Sequence, residues 1–140
     1  MISGMILLDT NVIIHFLKGD TGIQAAIRNT ARTELALPTI VVYELEYGAL
    51  RSGLPDWRRR ELERGLGYIQ RVPFDSEAAM ASAKIRIELE RQGLTIGPLD
   101  LLIAGTALSR GAVLVTDNTV EFSRVAGLQV TDWRSGKVAL

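Results

Sequence analysis

Short unbroken apolar runs alternate along this chain with longer stretches whose apolar positions recur at helical spacing, the pattern that strands joined by crossover helices produce. The first run, Met5 to Leu8, stops at Asp9, and apolar positions resume at Val12, Ile13 and Phe16, with Thr10 and Asn11 able to cap a helix there. Gly19 to Gly22 reads as a turn, and Ile23, Ala26, Ile27 and Ala31 mark a second short helix. Glu34 to Leu37 predicts a strand closed by Pro38, and Thr39 then offers an N-cap for a helix from about Ile40 to Arg51, ending before Gly53. Pro55 and Asp56 open a further helix to about Gln70, before a strand at Arg71 to Phe74. Ser76 to Gln92 is a long amphipathic helix with Gly93 just past its end. Gly97 and Pro98 start a strongly apolar helix through Leu108, and Ala112 to Val115 is again a strand. A short polar turn of helix then leads to a last strand at Leu128 to Val130.

The expected fold is therefore α/β, a single domain over residues 1–140 with a mostly parallel central sheet and helices on both faces. Apolar runs such as Met5–Leu8 and Ala112–Val115 suit strands buried on both sides, and each is followed by an acid, Asp9 and Asp117. In open α/β sheets the ligand crevice lies at the carboxyl ends of the strands. Asp9 alone could simply cap the helix after it. Two more acids weigh against that. In TIVVYELEYGAL, Val41, Leu45 and Gly48 form a core-facing stripe that Glu44 borders, whereas Glu46 projects to water. In GPLDLLIAGTAL, Asp100 is the only charge between Gly97 and Ser109. A first-turn position favours a negative charge by about 0.3 to 1 kcal/mol, while an unpaired buried carboxylate costs several, so the helix end does not account for Asp100.

Composition narrows the classes. The 140 residues are 47% hydrophobic and 23% charged, which is globular and not disordered. There are no cysteines, so disulfides and thiolate metal sites are excluded, in keeping with a reducing cytoplasm. No apolar run approaches the roughly 20 residues of a membrane span and no basic leader precedes the first strand, so a soluble cytoplasmic protein is expected. Sixteen basic and sixteen acidic residues cancel, leaving overall charge neutral on a nucleic-acid partner.

Four carboxylates at two strand ends, within one helix and at the start of another can converge on one crevice. Left unneutralised they repel and raise one another's pKa. A divalent cation resolves this, and an all-oxygen ligand set selects Mg²⁺ or Mn²⁺ over zinc. Held by a few carboxylates with open water positions, such an ion activates water and stabilises charge in phosphodiester hydrolysis.

The segments LLDTN at 7–11, TIVVYELEYGA at 39–49, IGPLDLLIAGTAL at 96–108 and LVTDNTVEFSRVAGLQVTDW at 114–133 together resemble PIN-domain proteins, most closely the VapC-type ribonuclease toxins of bacterial toxin-antitoxin pairs. The resemblance covers nearly the whole chain. It implies a PIN fold, a Mg²⁺- or Mn²⁺-dependent endoribonuclease acting on RNA, a cognate antitoxin, a homodimer, and contact with DNA only through the antitoxin. The family's metal-binding acids map onto Asp9, Glu44 and Asp100, with Asn11 and Thr116 as supporting polar groups. The fourth position falls on Asp117 or Asn118; Asp117 is the better ligand because it is charged at neutral pH, and Glu121 is a possible substitute. Relatives often carry a basic residue where Val120 stands and a proline where Ala126 stands. The helices over about 39–70 often form the groove that takes the antitoxin's tail.

Other features invite chemistry. His15, the only histidine, could be a general base, but helical geometry six residues past Asp9 favours a packing or surface role. Arg58, Arg59 and Arg60, with Arg51 and Arg64, could meet an RNA backbone or simply form a helix surface laced with Glu61 and Glu63. Tyr43, Tyr47 and Trp57 could stack on bases, with core packing or a partner groove favoured, and Trp133 is expected to pack under the last strand. Two rival classes fit less well. A haloacid-dehalogenase-type phosphatase wants a second acid where Asn11 stands, and a receiver domain wants paired acids before the strand end. A PIN fold kept only for binding, as a co-repressor with an antitoxin on DNA, would not need the acids it retains.

Overall fold

The structure, a computed structural model, describes residues 4–53 and 55–135, without the side chains of residues 58 and 61. Among the described residues, five strands, β1 (Ile6–Leu8), β2 (Leu35–Pro38), β3 (Gln70–Val72), β4 (Val113–Val115) and β5 (Gln129–Thr131), form one sheet in the order β3-β2-β1-β4-β5. Every neighbouring pair is parallel, with Leu7 opposite both Ala36 and Leu114. The helices are α1 (Thr10–Leu17), α2 (Thr21–Arg28), α3 (Thr39–Ser52), α4 (Asp56–Leu66), α5 (Ser76–Arg91), α6 (Pro98–Arg110) and α7 (Thr119–Phe122). The chain steps outward from β1 to β3, then returns to β4 beside β1 and steps out the other way to β5. Crossovers from one parallel strand to the next are right-handed, so this reversal puts the two sets of helices on opposite faces. Central strands are consequently sealed, with Leu7, Leu8, Leu35, Ala36 and Leu114 at zero exposure, as their unbroken apolar runs require. Trp133 packs against this core from beyond β5. Among the described residues no helix is long and apolar enough to cross a membrane.

Most elements lie where the pattern predicts, and the departures have local causes. The cap of α1 is Asp9 itself, its side chain accepting from the Thr10 amide at 2.8 Å, so Thr10 and Asn11 fall inside the first turn. Pro38 occupies the cap position of α3, and the Thr39 hydroxyl accepts from the Phe74 amide at 3.2 Å instead of capping. Helix α4 ends at Leu66, short of Gln70, because Ile69 turns inward to 1% exposure and Gln70 joins β3. Pro73, which has no N–H for the ladder, ends that strand before Phe74. On α3 only Val41 of the expected stripe is fully buried; Leu45 is half-buried and Gly48 exposed, since the helix runs out past the sheet.

Helices α5 and α6 make the tightest helix pair. Ile103 to Ala107 are all buried, and the Arg110 guanidinium reaches Asp75, the cap of α5, at 3.0 Å. Gly105 permits the approach: a Cβ there would collide with Ser82 Oγ and come within 2.9 Å of the Ala78 carbonyl oxygen. This packing sets the position of the α6 N-terminus and hence of Asp100. We expect Gly105→Ala to destabilise the fold by about 1–3 kcal/mol, the usual cost of overpacking, with part of the loss recovered by Ser82→Ala in the same chain, both read from urea unfolding midpoints.

Candidate active site

The strand order reverses between β1 and β4, and such a switch point opens a crevice at the carboxyl ends of the two strands. Asp9 follows β1 there and Thr116 follows β4. Parallel register puts Leu8 opposite Val115, so the next residues meet, and the Thr116 hydroxyl donates to Asp9 Oδ2 at 2.8 Å. With Oδ1 on the Thr10 amide, both carboxylate oxygens of Asp9 are held, and the residue is only 4% exposed. Burial pushes the Asp9 carboxyl above the ordinary carboxylate range; the bonds from Thr116 and Thr10 pull it down, and the charges of Glu44 and Asp117 push it further up.

Asp100 enters from the first turn of α6 and Glu44 from the middle of α3, two helices that pack together. Glu44 Oε1 accepts from the Thr10 hydroxyl at 2.7 Å, which ties α3 to the start of α1. Glu121, in α7, accepts from the Gly97 amide at 2.5 Å through Oε1 and from the Asn118 side-chain amide at 2.5 Å through Oε2. Asp100 Oδ2 and Glu121 Oε1 converge on Gly97, lying 3.3 and 3.7 Å from where a Cβ would stand. Burial first, and then the charges of Asp9, Glu121 and Glu44, push the Asp100 carboxyl up to about 7. Asp9, Glu44, Asp100 and Glu121 therefore lie within electrostatic reach around one crevice.

Asp117 is also nearby but is turned toward α1. Its Oδ2 accepts from His15 Nε2 at 2.9 Å and its Oδ1 from the Asn11 side-chain amide at 3.3 Å. His15 is a part-exposed helix residue, and its ring packs across to the end of β4 through this bond. The missed signal is spacing, since Asn11 and His15 are four apart and share one helix face. Thr10 does not cap α1; its hydroxyl anchors Glu44. Of the supporting groups, Thr116 holds Asp9, Asn118 holds Glu121, and Asn11 holds Asp117.

The features outside the crevice divide. Tyr43 and Tyr47 are more than half exposed and stack at 6.4 Å, so they are not core, and Trp57 is likewise 52% exposed. Arg59 pairs with Glu46, whereas Arg51, Arg60 and Arg64 lie at the surface; Arg58 and Glu61 have side chains outside the described residues. A groove of about 600 Å³ runs between α1, α3 and α4, and Ile13, Leu45, Leu62 and Leu66 line it together with Thr10 and Glu44.

These donors suit a hard divalent cation: all are carboxylate oxygens, and their crowding leaves a negative charge that burial makes costly. Among the described residues, no three acidic or histidine side chains already stand close enough together to hold an ion.

The model of the PIN domain matches residues 6–128. The chain belongs to the PIN domain family. Within that family this PIN domain is 38% identical to the tRNA(fMet)-specific endonuclease VapC of Shigella flexneri and 35% identical to that of Salmonella typhimurium, each alignment covering 91% of this chain and 96% of the relative. The DNA-bound VapBC crystal structure from Salmonella typhimurium superposes with a TM-score of 0.86 at 34% identity, covering 95% of this chain and 99% of that one.

The raised Asp100 pKa makes a stability prediction for the ion-free PIN domain. Between pH 4 and pH 7 the unfolded chain ionises this group while the folded chain keeps it protonated, so folding is progressively disfavoured as pH rises through that window. Asp100→Asn removes the effect. Urea midpoints in EDTA should coincide for the two proteins near pH 4, and the variant should be the more stable above pH 7.

Proposed function

We propose that this PIN domain is an endoribonuclease toxin that hydrolyses RNA phosphodiester bonds with a Mg²⁺ or Mn²⁺ ion held by Asp9, Glu44 and Asp100, and that a cognate antitoxin inhibits it. The observation that carries this is the gathering of those three carboxylates at the switch point, in a chain similar over nearly its whole length to proteins named as endonucleases. When bound, the ion supplies a Lewis acid that activates water and stabilises the charge developing on phosphate oxygens. The protein's own groups fix the geometry. Asp9 is locked by Thr116 and the Thr10 amide, and Glu44, anchored at one oxygen by Thr10, holds the ion or orients the attacking water. The groove, whose lining includes Thr10 and the acid Glu44, suits an antitoxin segment, which would then cover that acid.

The names of the Shigella and Salmonella relatives make tRNA(fMet) the first RNA to test. The DNA-bound VapBC complex supports a further role in which DNA is met through the antitoxin. Cleavage needs the carboxylates and that role does not, so the two separate on mutation. Asp9→Asn and Asp100→Asn should each lower Mg²⁺-dependent cleavage by more than about a hundredfold, beyond the 10–100-fold typical of a group that only orients a ligand, with the fold and antitoxin binding intact. Sequencing RNA 5′ ends after expression of each protein, beside cleavage of tRNA(fMet) by purified chain, checks this. Unchanged cleavage by folded Asp9→Asn protein sinks the mechanism.

A further inference from the structure

Helix α1 and the segment after β4 are joined twice. Thr116 reaches out to Asp9, the cap of α1, and one residue later Asp117 receives both His15 and Asn11 from the same helix, at 2.9 and 3.3 Å. Each oxygen of Asp117 is thereby engaged by α1. Its side chain is only 18% exposed, and the Arg134 guanidinium, held by Asp132 at 2.8 Å, lies within electrostatic reach of it. Asp117 is thus met by two donors from α1 and by the charge of Arg134, while its own charge reaches Asp9. The acid that meets Asp100 from this segment is Glu121, since the two converge on Gly97.

Resting on the ion-dependent reading above, we propose that His15 is a positioning residue and Asp117 a strut. The clasp of His15 and Asn11 on Asp117 locks α1 against the end of β4 and so holds Asp9 in place, and Asp117 is not itself an ion ligand. The physical reason lies in leverage. Asp9 sits on the hinge between β1 and α1, and its carboxylate keeps its aim only while the first turns of α1 stay against the Thr116–Asp117 segment. Packing of Val12 and Ile13 fixes the buried side of the helix, and the clasp fixes the crevice side.

Conservative and truncating variants separate a strut from a ligand. Asp117→Asn removes the charge but keeps an acceptor for His15, and Asn11 can turn its amide over to bond the new one. His15→Gln likewise keeps a donor, while Asp117→Ala and His15→Ala break the clasp. The experiment is calorimetric titration of Mn²⁺ into the ion-free full chain and these four variants, with urea unfolding in EDTA to establish that each is folded. We expect Asp117→Ala and His15→Ala to weaken Mn²⁺ binding about tenfold, as removal of an orienting group does, and the two conservative variants to stay within about threefold of the parent. Equal damage from Asp117→Asn and Asp117→Ala would make Asp117 a ligand and overturn the proposal, as would an unaltered affinity in His15→Ala. If the parent chain takes up no Mn²⁺, the ion-dependent function itself fails, and the clasp loses its purpose with it.

Discussion

The 2.8 Å hydrogen bond from the Thr116 hydroxyl to Asp9 Oδ2 spans the point where the sheet changes direction, and the crevice takes its shape from it. It exists because β1 and β4 are sequence-distant neighbours in parallel register, so that residues 107 positions apart leave the sheet side by side. A hydrogen bond to a charged group contributes about 1.5–3 kcal/mol, yet burial still leaves Asp9 with a raised pKa. Two well-placed donors therefore orient this carboxylate without fully compensating its removal from water. What they leave over is an unmet demand for positive charge, directed at the crevice.

The same demand grows as other elements arrive. Helix α6 brings Asp100 in half-buried, α3 brings Glu44, and α7 brings Glu121. Three of these acids have a polar tether: Thr116 for Asp9, Thr10 for Glu44, and the Gly97 amide with Asn118 for Glu121. Tethering keeps mutually repelling groups from swinging out into solvent, the relaxation that would otherwise relieve them. The cost is a fold that works against its own electrostatics when no cation is present.

Much of this was legible along the chain. Asp9 stands out because it ends an apolar run, and Asp100 because it is the only charge between Gly97 and Ser109. Glu44 followed from its place on the border of the α3 stripe, even though that stripe is buried only at Val41. The partner of His15 is not legible from its distance along α1 to Asp9, because that partner arrives from the end of β4. The sequence favours Asp117 for the fourth position with Glu121 as a substitute, and their partners are likewise set by distant elements. Local spacing places both beside the crevice, but which carboxylate faces Asp100 depends on how α1 and α6 flank the loop between β4 and β5.

Sequence by itself determined the order and kind of elements, the parallel sheet, the family, and the residues whose chemistry is costly unless something neutralises it. Periodicity and unbroken apolar runs carry that information because burial is decided position by position. Tertiary structure alone decided the pairings: Thr116 with Asp9, Thr10 with Glu44, and His15 and Asn11 with Asp117. Those contacts join residues from 34 to 107 positions apart, and the geometry that makes them is set by strand register and helix packing, which no local pattern encodes.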